Sequence, residues 1–279
     1  GQDIDVIAYY ERPWLKQLRR WYSGEGVQWN QLSVRRILEQ QLRPHCDLPA
    51  RSTPVKSYSH HLCHAAAGFQ TSSFDRATVV AAWGKPTIVD MMTQSLIDDE
   101  FQITFKENLH AGIPPDWSSP FSDTNIAEPS IAASAQQIAE TLIYNVMRRA
   151  RDFKWSDNLV YGGGVALNCV ANRGLGEYFD RIWIMPCPGD AGNSLGSAAL
   201  AMGGPLHWRN PYLGHDIPGP YPTNELLDHL ISDRIVGVAS GRAEFGPRAL
   251  GNRSLLADPR GKEMQETMNK LKQRQVFRP

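Results

Sequence analysis

The sequence predicts an α/β protein, on three observations. Two apolar runs, Leu159-Val160-Tyr161 and Ile182-Trp183-Ile184-Met185, each end in a glycine-bearing loop. A helix-like stretch of small or apolar residues follows each loop, and a strongly periodic helix precedes the first run. Strand, glycine loop and helix in repeated order is the pattern of α/β architecture.

Taken along the chain, residues 5–9 (Asp5-Val6-Ile7-Ala8-Tyr9) read as a short strand. Residues 30–42 read as an amphipathic helix with Leu32, Ile37 and Leu38 inward. Ser59 is placed to N-cap a helix carrying His60-His61-Leu62-Cys63-His64-Ala65-Ala66-Ala67. Thr78-Val79-Val80-Ala81 follows as a strand. Pro129-Ser130 opens the long helix, whose Ile131, Ala135, Ile138, Leu142, Val146 and Ala150 recur at spacings of three and four. Tyr161-Gly162-Gly163-Gly164 ends one strand, and Pro186-Cys187-Pro188-Gly189-Asp190-Ala191-Gly192-Asn193 leads into a small-residue helix from Ser194 to Met202. Ile235-Val236-Gly237-Val238-Ala239 reads as a buried strand. Residues 83–128 hold neither period, and a structureless stretch of that length inside a compact domain is suspect. The chain is therefore expected to be ordered pieces of a longer protein, with a full-length mass well above 31.2 kDa. The opening Gly1-Gln2-Asp3 and the ending Phe277-Arg278-Pro279 carry the same expectation.

Bulk properties exclude several classes. With 279 residues the chain can bury one large domain and part of a second. Lys+Arg and Asp+Glu are both 29, so the balance is not that of a nucleic-acid polyelectrolyte, and any cationic site must be local. No apolar run reaches the roughly 18 residues that suggest a membrane span, and no signal peptide opens the sequence. Four widely spaced cysteines (Cys46, Cys63, Cys169, Cys187) form no CxxC pair, which fits a reducing, cytoplasmic compartment. Cys169 and Cys187 lie in apolar surroundings and read as packing residues.

Three motifs carry chemistry. Arg242, Arg248 and Arg253 lie with Glu244 among glycines in the run from Gly241 to Ser254. Guanidinium forks beside a glycine-rich turn suit a phosphate or carboxylate. His60 and His64 are four apart, so both imidazoles leave one helix face and can chelate one ion. Gly162, Gly163 and Gly164 stand between a strand and a helix start, where backbone N–H groups can hold phosphate or form a plain turn. Asn193 can contact a ligand or cap the helix that follows.

The run Glu244-Phe245-Gly246-Pro247-Arg248-Ala249-Leu250-Gly251-Asn252-Arg253-Ser254, with Leu256-Ala257-Asp258-Pro259-Arg260 behind it, resembles the O-carbamoyltransferases of the NodU/CmcH type. The histidine helix, both glycine loops and the arginine run occur in that family's order. The resemblance implies an actin/Hsp70-like (ASKHA) ATPase-type domain over residues 1–205, a linker over 206–234, and the start of a YrdC-like α/β domain over 235–279. It implies carbamoyl-phosphate binding by Arg248, Lys272 and Arg278, with Lys270 and Arg274 as near neighbours of Lys272. It implies a metal, usually iron (Fe2+), on His60, His64 and Asp190, with His61 structural. A second aspartate is expected where Thr78–Ala81 runs into Ala82-Trp83-Gly84, and none stands there. Either it belongs to chain not included in this sequence, which is the expectation, or the site is incomplete. Gly162, Gly163, Gly164, Asn168 and Asn193 are implied in binding ATP, with Mg2+ accompanying the nucleotide. The implied reaction makes carbamoyl adenylate from carbamoyl phosphate and ATP, then moves the carbamoyl group to a hydroxyl of a small-molecule acceptor. His60, His64, Asp190 and Arg248 are its implied catalytic residues, and no nucleic-acid or membrane partner is expected. Two alternatives remain: a TsaD-like threonylcarbamoyl transferase acting on tRNA, and a non-catalytic nucleotide-binding protein.

Overall fold

A computed structural model describes residues 4–22, 24–44, 52–81, 97–99, 102–103, 128–204, 206–261 and 263–274. The chain divides into two compact units, Gly1–Trp208 and Arg209–Pro279.

In the first unit, β1 (Ile7–Tyr9) leads into α1 (Pro13–Tyr22). Pro13 stands in the first turn, where its missing N–H has no intrahelical role, and Arg19 and Arg20 complement the dipole of the last turn. After α2 (Val34–Leu42), β2 (Val55–Ser57) pairs parallel with β1, Ile7 opposite Val55. Then come α3 (His60–Thr71), β3 (Thr78–Ala81) and a short hairpin of β4 (Ile97–Asp99) with β5 (Gln102–Ile103). The long α4 (Glu128–Asp152) precedes β6 (Asn158–Gly162), and β7 (Arg181–Trp183) and α5 (Asn193–Met202) complete the unit.

β6 is the middle strand of a parallel sheet ordered β3-β6-β7. Being covered on both faces, it is apolar throughout rather than alternating: Leu159, Val160 and Tyr161 are all fully buried. Leu159 and Tyr161 pack with Ile143, Met147 and Ala150 of α4 and with Leu175 and Phe179. Val160 points to the other face, where Gly68 of α3 leaves room for its Cγ1. Burial of each such side chain contributes about 1.5–3 kcal/mol.

The helices expected from periodicity form, with their faces adjusted. In α4 Ala150 is buried as expected, but ahead of it the inward residues are Ala139, Ile143 and Met147, each one position on from the expected Ile138, Leu142 and Val146, and Val146 is exposed; the side chains of Ile131 and Ala135 lie outside the described residues. The expected stripe and the buried one are adjacent columns of the same helix, and the bulk of Met147 and Ile143 against Leu175 and Phe179 selects the second. Residues 30–42 break into a 3-10 turn (Trp29–Gln31) and α2, so Leu32 is exposed while Ile37 is buried with Val34. The helix α1, rich in tryptophan and arginine, escaped the sequence reading. Cys187 is buried as expected, whereas Cys169 is exposed. Of the stretch 83–128 that held no period, residues 83–96, 100–101 and 104–127 lie outside the described residues.

The second unit begins ahead of the expected boundary, because residues 206–234 supply β8 (Tyr212–Ile217) and α6 (Thr223–Ser232). β9 (Ile235–Ala239) follows, then β10 (Gly241–Glu244), β11 (Arg253–Ala257) and α7 (Glu263–Leu271). β10 pairs antiparallel with β8, and β9 with β11. The expectation of a buried β9 is corrected: only Val238 of this strand is buried, because β9 belongs to a two-stranded ribbon.

Candidate functional site

In the first unit, α3 starts at His60, with Ser59 at the N-cap position but making no side-chain cap bond. One helical turn brings His60 Nε2 within 3.2 Å of His64 Nε2. Asp190, on the 3-10 turn Asp190–Gly192, sets its Oδ1 3.3 Å from each of these nitrogens. The donor atoms of a tetrahedral centre with ligand bonds of about 2.0–2.1 Å stand about 3.3–3.4 Å apart, so the three donors fit one transition-metal ion. The histidines are 6–11% exposed and Asp190 63%, so the cluster is closed behind and open in front. An open position is what distinguishes a reactive metal centre from a structural one.

Several contacts hold this arrangement. Burial, then the neighbouring His60, lowers the pKa of His64 against the opposing pull of Asp190 and the Pro188 carbonyl. His64 is thereby kept neutral, the form that has a lone pair to give. The Pro188 carbonyl also accepts from the Gly163 N–H at 2.8 Å, tying the two glycine loops together behind His64. A Cβ on Gly192 would overlap the Cys187 carbonyl, so only glycine lets the loop 187–192 close. Tyr10, which no sequence signal singled out, lies beside His60 with ring centroids 5.9 Å apart. Its phenol is pushed up chiefly by burial, with Glu11 and Asp190 adding to the effect and Lys16 opposing it.

The residues expected to cradle nucleotide divide. Gly162 closes β6 against the His64 carbonyl. Gly163 has φ 90° and its N–H is engaged with Pro188. Gly164 is exposed, with nothing within 4 Å of where a Cβ would stand. Asn168 caps the short helical turn Cys169–Asn172 by accepting from Ala171 N–H, and exchanges side-chain hydrogen bonds with Gln136 of α4. Asn193 is not a cap: α5 begins at Asn193 itself, and the side chain is fully buried against His60, Nδ2 to Nδ1 3.3 Å.

In the second unit, the loop between β10 and β11 is built around Glu244. Its Oε1 accepts from the N–H groups of Leu250, Asn252 and Arg253 at 2.8–3.1 Å. Burial opposes ionisation of this carboxyl, and the backbone donors overcome it, bringing the pKa down to about 2. The sequence reading of three arginines serving one anion is corrected. Arg253 is spent on the carbonyls of Ser240, Gly241, Asn252 and His215, and Arg242 donates to Gly214. Arg248 is exposed at the loop tip and has no side-chain partner among the described residues. Beyond α7, Lys272 is likewise exposed and unpaired among the described residues, whereas Lys270 pairs with Glu266 and Arg274 donates to Asn269. Arg278 lies outside the described residues, as do residues 82–84, where the second aspartate was sought.

Glu244 carries a pH prediction. Its native pKa of about 2 lies below the ordinary 4.5, so its stabilising contribution is complete above pH 4.5 and is lost as pH falls toward about 2. Glu244→Gln should shrink the acid-unfolding slope of the second unit within that window, followed by circular dichroism. It should not abolish it, because Asp258, bonded by the Arg260 guanidinium, also titrates at about 2. An unchanged slope would contradict the role given to Glu244.

Residues 81–199 match the family model for the carbamoyltransferase N-terminus, and residues 227–279 match that for the carbamoyltransferase C-terminus. An uncharacterised protein of Synechocystis is 30% identical across the whole chain, which spans 53% of that protein. That alignment runs over 331 positions, 52 more than the 279 residues here. Nodulation protein NolO of Bradyrhizobium diazoefficiens is 34% identical over 53% of the chain and 32% of its own length. Nodulation protein U of Rhizobium tropici is 36% identical over 55% of the chain and 30% of its own length. The chain thus spans between about a third and a half of these relatives.

Proposed function

Since the chain belongs to the carbamoyltransferase family, we propose that it is an O-carbamoyltransferase, using carbamoyl phosphate and ATP to carbamoylate a hydroxyl of a small-molecule acceptor. The observation that carries this reading is the open-faced cluster of His60, His64 and Asp190 in the first unit, of which residues 81–199, Asp190 among them, match the N-terminal family model. On this reading the first unit is of the actin/Hsp70-like (ASKHA) type and the second opens a YrdC-like domain.

The chemistry balances in three steps. Water cleaves carbamoyl phosphate to carbamate and phosphate, with Arg248, Lys272 and Arg278 offsetting the phosphate charge. A carbamate oxygen then attacks the α-phosphorus of ATP, and pyrophosphate leaves. Last, the acceptor oxygen attacks the carbamoyl carbon, the bond to AMP breaks and the acceptor loses its proton. His60, His64 and Asp190 would hold a divalent metal, Fe2+ by family resemblance, which when bound supplies Lewis-acid polarisation of a carbonyl or acidifies a hydroxyl. The buried histidines exclude water from behind the reacting groups, and the exposed Asp190 marks the side from which substrate enters. Gly164 stands open for nucleotide beside that cluster. Among the described residues no helix is long and apolar enough to cross a membrane, and a small-molecule acceptor taken from a reducing cytoplasm fits the separate thiols.

The test is pyrophosphate release from ATP by the full-length protein, with and without carbamoyl phosphate. Release that depends on carbamoyl phosphate is expected. Its absence in a protein that still binds metal and nucleotide would overturn the reading.

A further inference from the structure

A metal bound by His60 Nε2 and His64 Nε2 needs a lone pair on both atoms, so both rings must carry their proton on Nδ1. Each Nδ1–H then needs an acceptor. At His64 the Pro188 backbone acts on the imidazole, opposing the lowering by burial. At His60 Nδ1 the structure places Asn193, whose Nδ2 lies 3.3 Å away. In that rotamer two donors would meet if Nδ1 were protonated. The cost is visible on the other side of the amide: Asn193 is 0% exposed, and its Oδ1 is buried with no hydrogen-bond partner. A buried carbonyl left without a donor costs stability. Turning the amide by half a rotation keeps its shape and moves Oδ1 to face the imidazole.

We propose that Asn193 is the positioning residue of the metal centre, its Oδ1 accepting from His60 Nδ1–H and so fixing the tautomer that aims Nε2 at the point shared with His64 and Asp190. Its importance for catalysis rests on the metal-binding reading above. The placement is built into the fold: Asn193 is the first residue of α5, three positions after Asp190, and α5 packs closely on α3. One short segment therefore supplies both a ligand and the group that orients another ligand. The neighbour at His60 Nδ1 is a side chain, so His60 is a ligand that a side-chain substitution can disturb.

The experiment uses the full chain with 15N-labelled histidine. Long-range 1H–15N correlation at mildly alkaline pH reads the His60 tautomer without metal, and zinc titration against a competing chelator reads affinity. The native chain and Asn193→Asp should show His60 protonated on Nδ1 and bind zinc comparably. Asn193→Leu should lose that tautomer preference and bind zinc about 10- to 100-fold more weakly. A native His60 protonated on Nε2 would overturn the proposal, as would native zinc affinity in Asn193→Leu. Equal weakening in both variants with equally lowered melting temperatures would also overturn it, reducing Asn193 to packing. A native chain that binds no zinc but carries its proton on Nδ1 would support the assignment of Asn193 and sink the metal reading instead.

Discussion

If the proposed function holds, Arg248→Ala should lower carbamoyl-phosphate-dependent pyrophosphate release by at least about a hundredfold, since two charge-assisted contacts at about 1.5–3 kcal/mol each would be lost. The variant should melt with the native protein, because the side chain is exposed and has no partner among the described residues. Arg253→Ala makes the contrasting case. Its guanidinium bridges carbonyls from four residues, so its loss should lower the stability of the second unit by about 1–3 kcal/mol. Steady-state release and thermal melts measured side by side separate the two. Should Arg248→Ala retain full activity, the loop tip is not where carbamoyl phosphate is held.

Gly196→Ala should destabilise the first unit by at least about 3 kcal/mol, beyond the usual 1–3 kcal/mol of an overpacked site. The added Cβ would overlap the Cys63 carbonyl oxygen and crowd Ala67 Cβ at 3.1 Å, and a helix backbone cannot step aside as a flexible side chain can. Cys63 precedes His64, and Gly196 lies one turn beyond Asn193 and six positions beyond Asp190, so pushing α3 and α5 apart also separates the histidines from the aspartate. Zinc affinity should fall with the melting temperature. Gly204→Ala is the control: no atom lies within 4 Å of its Cβ position, and its effect should stay within about 0.5 kcal/mol. A Gly196→Ala chain as stable as the control would mean that the close approach of α3 to α5 does not set the site.

The sequence showed the α/β class and the histidine pair because both rest on local regularities: strand–glycine–helix order and an i,i+4 spacing. Asp190 came from family resemblance, and the geometry brings it to both histidines. What stayed hidden depends on partners distant in sequence. Nothing near Arg253 announces that its fork is saturated by carbonyls from His215 to Asn252, so three arginines looked alike where only Arg248 is available. Asn193 read as ligand or cap because its partner His60 is 133 positions away. The rotated face of α4 has the same origin, since Leu175 and Phe179 decide which of two adjacent columns packs inward. Residues 206–234 read as linker from their glycines and prolines, yet β8 finds its partner in β10.

The pairing of β3 with β6 has a consequence for how this sheet tolerates changes of length. Thr78 sits opposite Leu159, so a parallel pair is joined through about eighty intervening positions. The entropy of closing such a loop grows only with the logarithm of its length, about 0.6 kcal/mol for each doubling. Register is set by the apolar strands themselves and not by the connection. Changes of length between β3 and α4 therefore cost the β3–β6 pairing little closure entropy, and the residues at the strand ends keep their places.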